Sequence, residues 1–215
     1  MIDMKSWVDQ QIKSKTRIAI PIMTHPGIEM IGKTVRDAVQ NGQIHAQAIK
    51  KLAEVYPTVA STVIMDLTLE PEAFGCAIEF QENDMPHILG RLLSSAGDIE
   101  NLKVPDLNAG RVQEYLTANR LTVESSKDSP VFAGVIGPFS LAGRLFDMSE
   151  IMVACYTEPD AIMMLLDKCT EFIINYCREL KNIGCSGVVV AEPAAGLLAN
   201  DDCKMFSSEY IKKLV

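Results

Sequence analysis

Four short apolar segments of the chain are each followed, directly or after a short turn, by residues that can do chemistry. Thr24 and His25 follow the first segment, Asp66 the second, Ser140 the third and Glu192 the fourth. Carboxylates in such positions can move protons, and an imidazole titrates close to neutral pH. If the segments are parallel strands, their carboxyl ends meet at one edge, where barrel enzymes have their active sites.

Asp66, Glu192 and His25 are the predicted catalytic residues. Asp66 follows Val-Ile-Met, so we expect its carboxylate at the rim of an apolar pocket, exchanging a proton or anchoring a substrate N–H. A loop aspartate that caps the next turn is the alternative. Glu192 is expected to be a general base or a metal-site carboxylate, or else a solvated loop acid. His25 could donate to a substrate or shuttle a proton, although a lone histidine is more often structural.

The predicted substrate-binding residues are Gly137, Phe139, Ser140, Arg144 and Gly196. The first three lie at a turn between a strand and a helix, where small residues let the backbone approach a ligand. Arg144 could clamp a carboxylate or a phosphate, or could form a salt bridge on the helix surface. Gly196 follows two alanines, which leaves room for a ligand beside Glu192.

Hydrophobic periodicity predicts the elements that position these residues. Strands are expected at residues 18–23, 60–65, 131–136 and 187–191, with a small excursion strand at 76–80. Helices are expected at residues 1–15, 42–56, 108–125, from 138 onwards, 148–156 and 158–183, with a last helix capped by Ser207 or Ser208.

Strands that alternate with helices indicate a parallel sheet, so the predicted class is α/β. No glycine-rich nucleotide loop is present, which favours a (β/α)₈ TIM barrel with about four units in this chain. We expect one domain over residues 1–215, with a lead-in helix within 1–17 and an irregular insert at 82–106. Half a barrel leaves apolar edges, so we expect a part of a longer protein or a homodimer.

Composition narrows the classes of function. The 215 residues are 48% apolar and carry a net charge of −8, which argues against nucleic-acid and membrane partners. The amino terminus has no apolar run of signal-peptide length, so a cytoplasmic location is expected. The six cysteines have no disulfide-framework spacing, and neither Cys-x-x-Cys nor His-x-Cys nor His-Glu-x-x-His occurs, so the chain's own motifs predict no metal site.

Three motifs in order resemble the amino-terminal half of the uroporphyrinogen decarboxylase superfamily. They are Ile64-Met65-Asp66 with Phe74-Gly75 downstream, Gly137-Pro138-Phe139-Ser140-Leu141-Ala142, and Glu192-Pro193-Ala194-Ala195-Gly196-Leu197. The resemblance runs from about residue 18 to residue 215 and implies a (β/α)₈ barrel. It implies one of two chemistries: cofactor-free decarboxylation of uroporphyrinogen, a lyase step of porphyrin biosynthesis, or zinc-dependent methyl transfer between a corrinoid and a thiol such as coenzyme M.

Departures from the decarboxylase pattern bear on which chemistry applies. Asp66 falls on the aspartate that binds pyrrole N–H groups in the decarboxylases. Their Arg-x-x-Gly-Arg-Tyr motif, however, corresponds to residues 24–29, where the glycine is kept and both arginines are missing. Their tyrosine falls on Arg144, and their serine–histidine pair falls on Pro193 and Ala194. A substrate with eight carboxylates needs fixed cations, because burying unpaired carboxylates is costly.

The resemblance therefore favours a methyltransferase that acts on a methylcobamide or corrinoid protein and a small thiol. A uroporphyrinogen decarboxylase is the first alternative. The second alternative is a non-catalytic module that binds a corrinoid protein or ligand. In the methyltransferases zinc is held by a His-x-Cys pair on the fifth strand and a later cysteine. None of this chain's cysteines matches those ligands, so zinc and a corrinoid substrate are expected only for the intact family member. The activity of the 215-residue piece alone stays open.

Overall fold

The computed structural model describes residues 2–17, 19–22 and 24–215. The strands are β1 (Ser61–Thr62), β2 (Ala77–Glu79), β3 (His87–Leu89), β4 (Val131–Ile136) and β5 (Gly187–Ala191). The helices are α1 (Met4–Lys13), α2 (His25–Met30), α3 (Val35–Gln40), α4 (Gly42–Val55), α5 (Leu69–Phe74), α6 (Ala96–Asn101), α7 (Val112–Ser125), α8 (Pro138–Phe146), α9 (Met148–Thr157), α10 (Pro159–Ile183), α11 (Asn200–Cys203) and α12 (Glu209–Ile211). A 3₁₀ turn covers Pro193–Leu197, a π turn joins α11 to α12 over Lys204–Ser208, and a 3₁₀ turn follows at Lys212–Leu214.

The central sheet is parallel, with the strand order β1-β4-β5. In the register of β4 with β5, Phe132 lies opposite Gly187 and Ile136 lies opposite Ala191. The β4 residues Val131, Ala133 and Val135 are buried, whereas Phe132 on the other face is only half-buried. The predicted parallel α/β architecture is confirmed, because helices separate strands that run in the same direction.

The predicted first strand is wrong for the residues that can be assessed. Residues 19–22 are irregular and exposed, and positions 18 and 23 lie outside the described residues. Pro21 has no N–H to give to a ladder, and only its carbonyl is used, accepting from the Thr62 hydroxyl at 3.0 Å.

The second strand is shorter than the predicted 60–65 because its backbone leaves the ladder early. Val63 N–H still bonds to the carbonyl of Phe132 at 3.1 Å. On the opposite side of the strand, the amide of Ile64 donates to the imidazole of His45 on α4. The paired residues end at Thr62, opposite Phe132, and the imidazole satisfies an amide that faces away from β4.

The insert at 82–106 is more ordered than predicted. It contains β3, which pairs antiparallel with β2, and the helix α6. The excursion strand expected at 76–80 is present as β2. Lys168 on α10 donates to the carbonyl oxygens of Glu100 and Leu102 at 2.9 and 2.7 Å and also to that of Ile99. These bonds hold the end of α6 against α10.

Three helix boundaries differ from prediction. Helix α7 begins at Val112 and not at Asn108, whose N–H is taken by the Asp106 side chain in a turn. Asp147, with φ of 101°, separates α8 from α9 and caps α9. The last helical run begins at Asn200, so Ser207 and Ser208 lie inside it and neither caps it.

The main core lies between the sheet and helices α7, α8 and α10. Its largest fully buried side chains include Tyr115, Phe139, Phe172 and Tyr176. Burial of each such side chain contributes roughly 1.5–3 kcal/mol. In the described residues all six cysteines are free thiols, and Cys169 lies in this core. Across the described ranges, no helix combines the length and apolarity needed to cross a membrane.

Candidate functional site at the carboxyl ends of the strands

The carboxyl ends of β1, β4 and β5 lie at one edge of the sheet because the strands are parallel. Glu192, directly after β5, reaches across this edge to the first turn of α8, which follows β4. Its two carboxylate oxygens accept from the N–H groups of Phe139 and Ser140, both at 2.8 Å. The structure therefore brings Glu192 and Ser140 together, as the parallel topology predicts.

Glu192 acts as a cap for α8. A carboxylate is stabilised at a helix N-terminus by the free N–H groups and the helix dipole. The Ser207 hydroxyl also donates to Glu192 at 3.2 Å, and the Ser140 hydroxyl oxygen accepts from Ala194 N–H at 3.1 Å. These bonds join β5, α8 and the last helical run at one point of the rim.

Asp66 is buried, and the expectation of a carboxylate at the pocket rim is wrong. Its side chain has no exposed surface. One oxygen accepts from Thr68 N–H and hydroxyl at 2.9 and 2.7 Å, and the other from Arg111 and Tyr115 at 2.7 and 3.0 Å. The guanidinium of Arg111 draws the carboxylate into the helical layer, so a catalytic role for Asp66 stays a prediction that its burial disfavours.

Arg111 is the centre of this buried network. It also bonds to the carboxylate of Glu72 and the carbonyl of Val39, and its guanidinium lies 4.8 Å from the ring centre of Phe80. Burial alone would lower the pKa of Arg111, but the carboxylate of Asp66 raises it above its ordinary value. The group is therefore a permanent cation that satisfies two carboxylates.

His45 on α4 is a buried residue that the sequence analysis did not single out. It has no exposed area, and its Nε2 accepts from Ile64 N–H at 3.0 Å. Its Nδ1 must then carry the proton of the neutral ring, and it has no partner among the described residues. Burial lowers the pKa of His45 to about 3, against the opposing charge of Asp66.

Glu70 is a second buried group that the sequence analysis did not single out. One oxygen accepts from Ile136 N–H at 3.0 Å, at the end of β4, and the other has no partner among the described residues. Burial raises the pKa of Glu70 to about 7. The sequence contained a signal for this buried acid. Glu70 comes after an apolar strand, at the start of a helix that also carries Leu69 and Phe74.

The remaining predicted residues differ in their exposure and in the elements that carry them. His25 is the exposed first residue of α2, and Arg144 is half-buried in the last turn of α8. Phe139 has its ring entirely in the core, so only its backbone faces the rim. Gly137 lies against Glu192, whereas Gly196 is exposed, with open space where a side chain would be.

The described residues do not supply the zinc site that the resemblance implies for the intact family member. No three His, Cys, Asp or Glu side chains within those ranges lie close enough to hold a metal ion. Glu192 is committed to backbone amides and Asp66 to Arg111, and one oxygen of Glu70 accepts from Ile136 N–H. No catalytic step is therefore assigned to a metal held by these residues.

Comparison with known proteins identifies the family. The profile described as Uroporphyrinogen decarboxylase (URO-D) matches residues 16–215. The chain belongs to the uroporphyrinogen decarboxylase family. The resemblance inferred from the three motifs is thus confirmed, and the match extends over nearly the whole chain.

Relatives in the URO-D family include two kinds of enzyme. The chain is 32% identical to the methylcobamide:CoM methyltransferase MtbA of Methanosarcina acetivorans and 31% identical to that of Methanosarcina mazei, each match covering 80% of this chain and 54% of the relative. It is 25% identical to the uroporphyrinogen decarboxylase of Vibrio vulnificus, covering 82% of this chain and 51% of the relative. The chain thus spans about half the length of these curated relatives.

The URO-D fold is also shown by a solved structure, a methyltransferase from Methanosarcina mazei. The match has a TM-score of 0.85 at 23% identity and covers 95% of this chain and 63% of the other. At that identity the likeness establishes the architecture, which agrees with the parallel sheet described above.

Proposed function

We propose that this chain is the amino-terminal part of a corrinoid-dependent methyltransferase, which moves a methyl group from a methylcobamide to a thiol. The relatives named methylcobamide:CoM methyltransferase support this assignment, at higher identity than the V. vulnificus decarboxylase. The partners would be a methylcobamide, free or carried by a corrinoid protein, and a small thiol.

The single observation that carries our choice between the two chemistries is the state of Asp66. In a decarboxylase this position must offer carboxylate oxygens to pyrrole N–H groups. Here both oxygens already accept two hydrogen bonds each from protein donors, and the side chain is inaccessible. Releasing it would leave the buried Arg111 with Glu72 as its one remaining carboxylate partner, at a cost in stability. This geometry supports the methyltransferase.

The proposed transfer is a nucleophilic displacement at the methyl carbon. The thiol first loses its proton, and the sulfur lone pair forms the new S–C bond. Both electrons of the cobalt–carbon bond remain on cobalt, which is formally reduced by two electrons. The products are a methyl thioether and the demethylated cobamide, and charge is balanced by the released proton.

The chain's own contribution under this proposal is to shape and fix the rim. Glu192 holds the first turn of α8, and that helix carries Arg144, which is half-buried and can pair with an anionic group on the thiol. His25 is exposed and can accept or deliver a proton. Gly196 leaves the loop after β5 open for a ligand.

A uroporphyrinogen decarboxylase is the second candidate, favoured by relatives that carry that name. It requires cations for the substrate carboxylates. His25 and Glu29 stand in the segment where the decarboxylase arginines are expected, so Arg144 is the only cation among the predicted site residues. We therefore expect no turnover of uroporphyrinogen. Binding of a corrinoid protein without turnover in either assay would favour a non-catalytic module.

The test uses the longest form of the protein that contains this chain. Methylcobalamin and coenzyme M are supplied, and demethylated cobalamin and methyl-coenzyme M are both measured. Uroporphyrinogen is offered in a parallel reaction, with coproporphyrinogen as the measured product. Formation of the thioether with no coproporphyrinogen is the expected result. Formation of coproporphyrinogen without the thioether would instead indicate a uroporphyrinogen decarboxylase.

A further inference from the structure

The sequence contains one Asn-Gly pair, Asn41–Gly42, and the structure places it at the junction of α3 and α4. In an unfolded chain this pair of residue types readily loses the side-chain amide, because a glycine leaves the following backbone nitrogen unhindered. That nitrogen attacks the side-chain carbonyl carbon, and a cyclic imide forms. In the folded chain only Asn41 is exposed, whereas Gly42 is buried.

The junction needs both residues, each for its own reason. Asn41 is the N-cap of α4, and its side-chain oxygen accepts from the N–H groups of Gln43 and Ile44, both at 3.0 Å. Gly42 lies directly against α7, so that a Cβ atom at this position would collide with the backbone carbonyl oxygen of Glu114. A reactive pair is therefore built into the contact between α4 and α7.

The peptide bond between Asn41 and Gly42 is held on both sides. Its carbonyl oxygen accepts from His45 N–H at 3.0 Å, and its N–H donates to a carboxylate oxygen of Glu114 at 2.7 Å. Glu114 is half-buried in the first turn of α7, so the second bond joins α7 to the start of α4. A hydrogen bond to a carboxylate is stronger than one between neutral groups.

This geometry opposes closure of the imide ring. The five-membered ring requires the Gly42 nitrogen to eclipse the Asn41 Cβ about the Cα–C bond, and an L-residue reaches that arrangement only at negative ψ. Asn41 has a ψ of 111°. Rotation to the reactive geometry would turn the whole peptide plane, break both of its hydrogen bonds and move Gly42 off α7. The nitrogen must also lose its proton, and the Glu114 carboxylate disfavours a second negative charge beside it.

We propose that Asn41–Gly42 is a deamidation site that the contact between α4 and α7 keeps closed, with Glu114 as the latch. The reaction takes place only when α4 separates locally from α7. A bond then forms between the Gly42 nitrogen and the Asn41 Cγ, and the Cγ–Nδ2 bond breaks. Ammonia leaves with the proton that the Gly42 nitrogen has lost. Water opens the imide to aspartate or isoaspartate, so that one water is consumed for each ammonia released.

Deamidation would make the local opening permanent. Isoaspartate adds a methylene group to the backbone, so the cap and the Gly42 N–H no longer meet their partners. Aspartate can still cap α4, but it adds a negative charge in the same turn whose first N–H binds the Glu114 carboxylate. Both products therefore weaken the contact that protects the site. The inference does not depend on which reaction the protein catalyses.

The test follows the conversion of Asn41 in the protein that contains this chain. The protein is incubated at mildly alkaline pH, folded or unfolded in guanidinium chloride, and peptide mass spectrometry then measures aspartate and isoaspartate at position 41. The folded protein should convert roughly a hundredfold more slowly, because several hydrogen bonds must first break. Equal rates in the folded and the unfolded protein would overturn the proposal.

Substitution of Glu114 tests the latch. Glu114→Ala should speed the conversion in the folded protein roughly tenfold, the loss expected for one hydrogen bond to a charged group, and should leave the rate in the unfolded protein unchanged. Glu114→Gln keeps a neutral acceptor of the same size, so its rate should lie between the two and is available if the alanine variant does not fold. Glu124→Ala, at an exposed acid of the same helix, is the matched control and should change neither rate. An unchanged rate in whichever Glu114 variant folds would refute the latch.

A variant that is weakened elsewhere separates local opening from general instability. Lys168→Met removes the bonds to the end of α6 and should leave the rate at Asn41 unchanged. Asn41→Ser keeps a capping side chain without the reactive amide, so no mass change is expected at position 41. If Lys168→Met speeds the conversion as much as Glu114→Ala does, the opening is global and a local latch is excluded.

Discussion

The carboxylate of Glu192 occupies the space in which any side chain on Gly137 would lie. A Cβ atom built on Gly137 would be 2.8 Å from the Cβ of Glu192 and closer still to its carboxyl group. Gly137 has an ordinary φ of −79°, so glycine is needed here for the close approach and not for its backbone freedom. The cap on α8 therefore depends on the absence of a side chain at the end of β4.

Gly137→Ala is expected to destabilise the protein by about 2–4 kcal/mol, the sum of overpacking and a lost helix cap. Urea unfolding measures the change. Gly196→Ala is the matched control, because nothing lies within 4 Å of a Cβ atom at that position, and it should change stability little. Equal effects of the two substitutions would contradict the role assigned to Gly137.

The buried pair of Arg111 and Asp66 yields a second prediction. Arg111→Leu leaves the Asp66 carboxylate buried without its cation and should cost roughly 3–5 kcal/mol of folding free energy. Lys51→Leu removes one partner of an exposed pair with Glu54 and should have little effect. In an Asp66→Asn background the cost of Arg111→Leu should fall, since no unpaired carboxylate remains there. If Arg111→Leu costs as much folding free energy in the Asp66→Asn background as in the unsubstituted protein, the loss does not come from the Arg111–Asp66 pair.

Glu70 and His45 should give the stability opposite dependences on pH. The pKa of folded His45 is lowered to about 3 from 6.5, so its contribution is present above pH 6.5 and is lost as the pH falls toward 3. The pKa of folded Glu70 is raised to about 7 from 4.5, so its contribution is present below pH 4.5 and is lost as the pH rises to 7. Between pH 4.5 and 6.5 the two slopes oppose each other, each at about 1.4 kcal/mol per pH unit.

Substitution separates the two slopes. Relative to the unsubstituted protein, Glu70→Gln should make stability rise more steeply with pH in this window, because only His45 of the pair then remains. His45→Gln should shift the slope in the opposite direction. Urea unfolding at several pH values between 4.5 and 6.5 measures both, and a common direction for the two variants would refute the assignment.

Lys168 should help to keep the insert at residues 82–106 folded against α10. Its ammonium group donates to three carbonyl oxygens at the end of α6, and hydrogen bonds to charged groups contribute about 1.5–3 kcal/mol. Lys168→Met should therefore lower stability by a similar amount and speed amide hydrogen exchange in α6. Lys181→Met, on the exposed side of the same helix, is the control and should leave exchange in α6 unchanged.

Regular elements with a strong apolar pattern could be predicted from the sequence. Residues 131–136 and 187–191 form strands with the predicted bounds, and α10 ends at Ile183 beside Gly184, which has the left-handed conformation expected of a C-terminal cap. These elements are determined by local chemistry: a run of β-branched residues, a 3.6-residue apolar period, and a glycine where φ is positive.

Buried polar contacts could not be predicted in the same way. His45 and Arg111 lie far from Ile64 and Asp66 in the sequence, and a periodicity argument assigns polar residues to the surface. Their burial depends on these distant contacts: the imidazole accepts from an amide that faces away from β4, and the guanidinium pairs with the carboxylate. Glu192 was predicted at the rim, but its use as a helix cap depends on the three-dimensional approach to α8.

The last prediction concerns Arg144 and rests on the proposed methyl transfer. Coenzyme M carries a sulfonate, whereas 2-mercaptoethanol is a neutral thiol of similar size. If Arg144 binds the anionic group, Arg144→Gln should raise the KM for coenzyme M about tenfold or more, the loss expected for one charge-assisted hydrogen bond, with little change in kcat. The KM for 2-mercaptoethanol should not change, because that thiol offers no charge to pair. Arg178→Gln, on the exposed surface of α10, is the matched control and should alter neither value. An equal rise in KM for both thiols would indicate that Arg144 supports the structure of α8 and does not contact the substrate's charge.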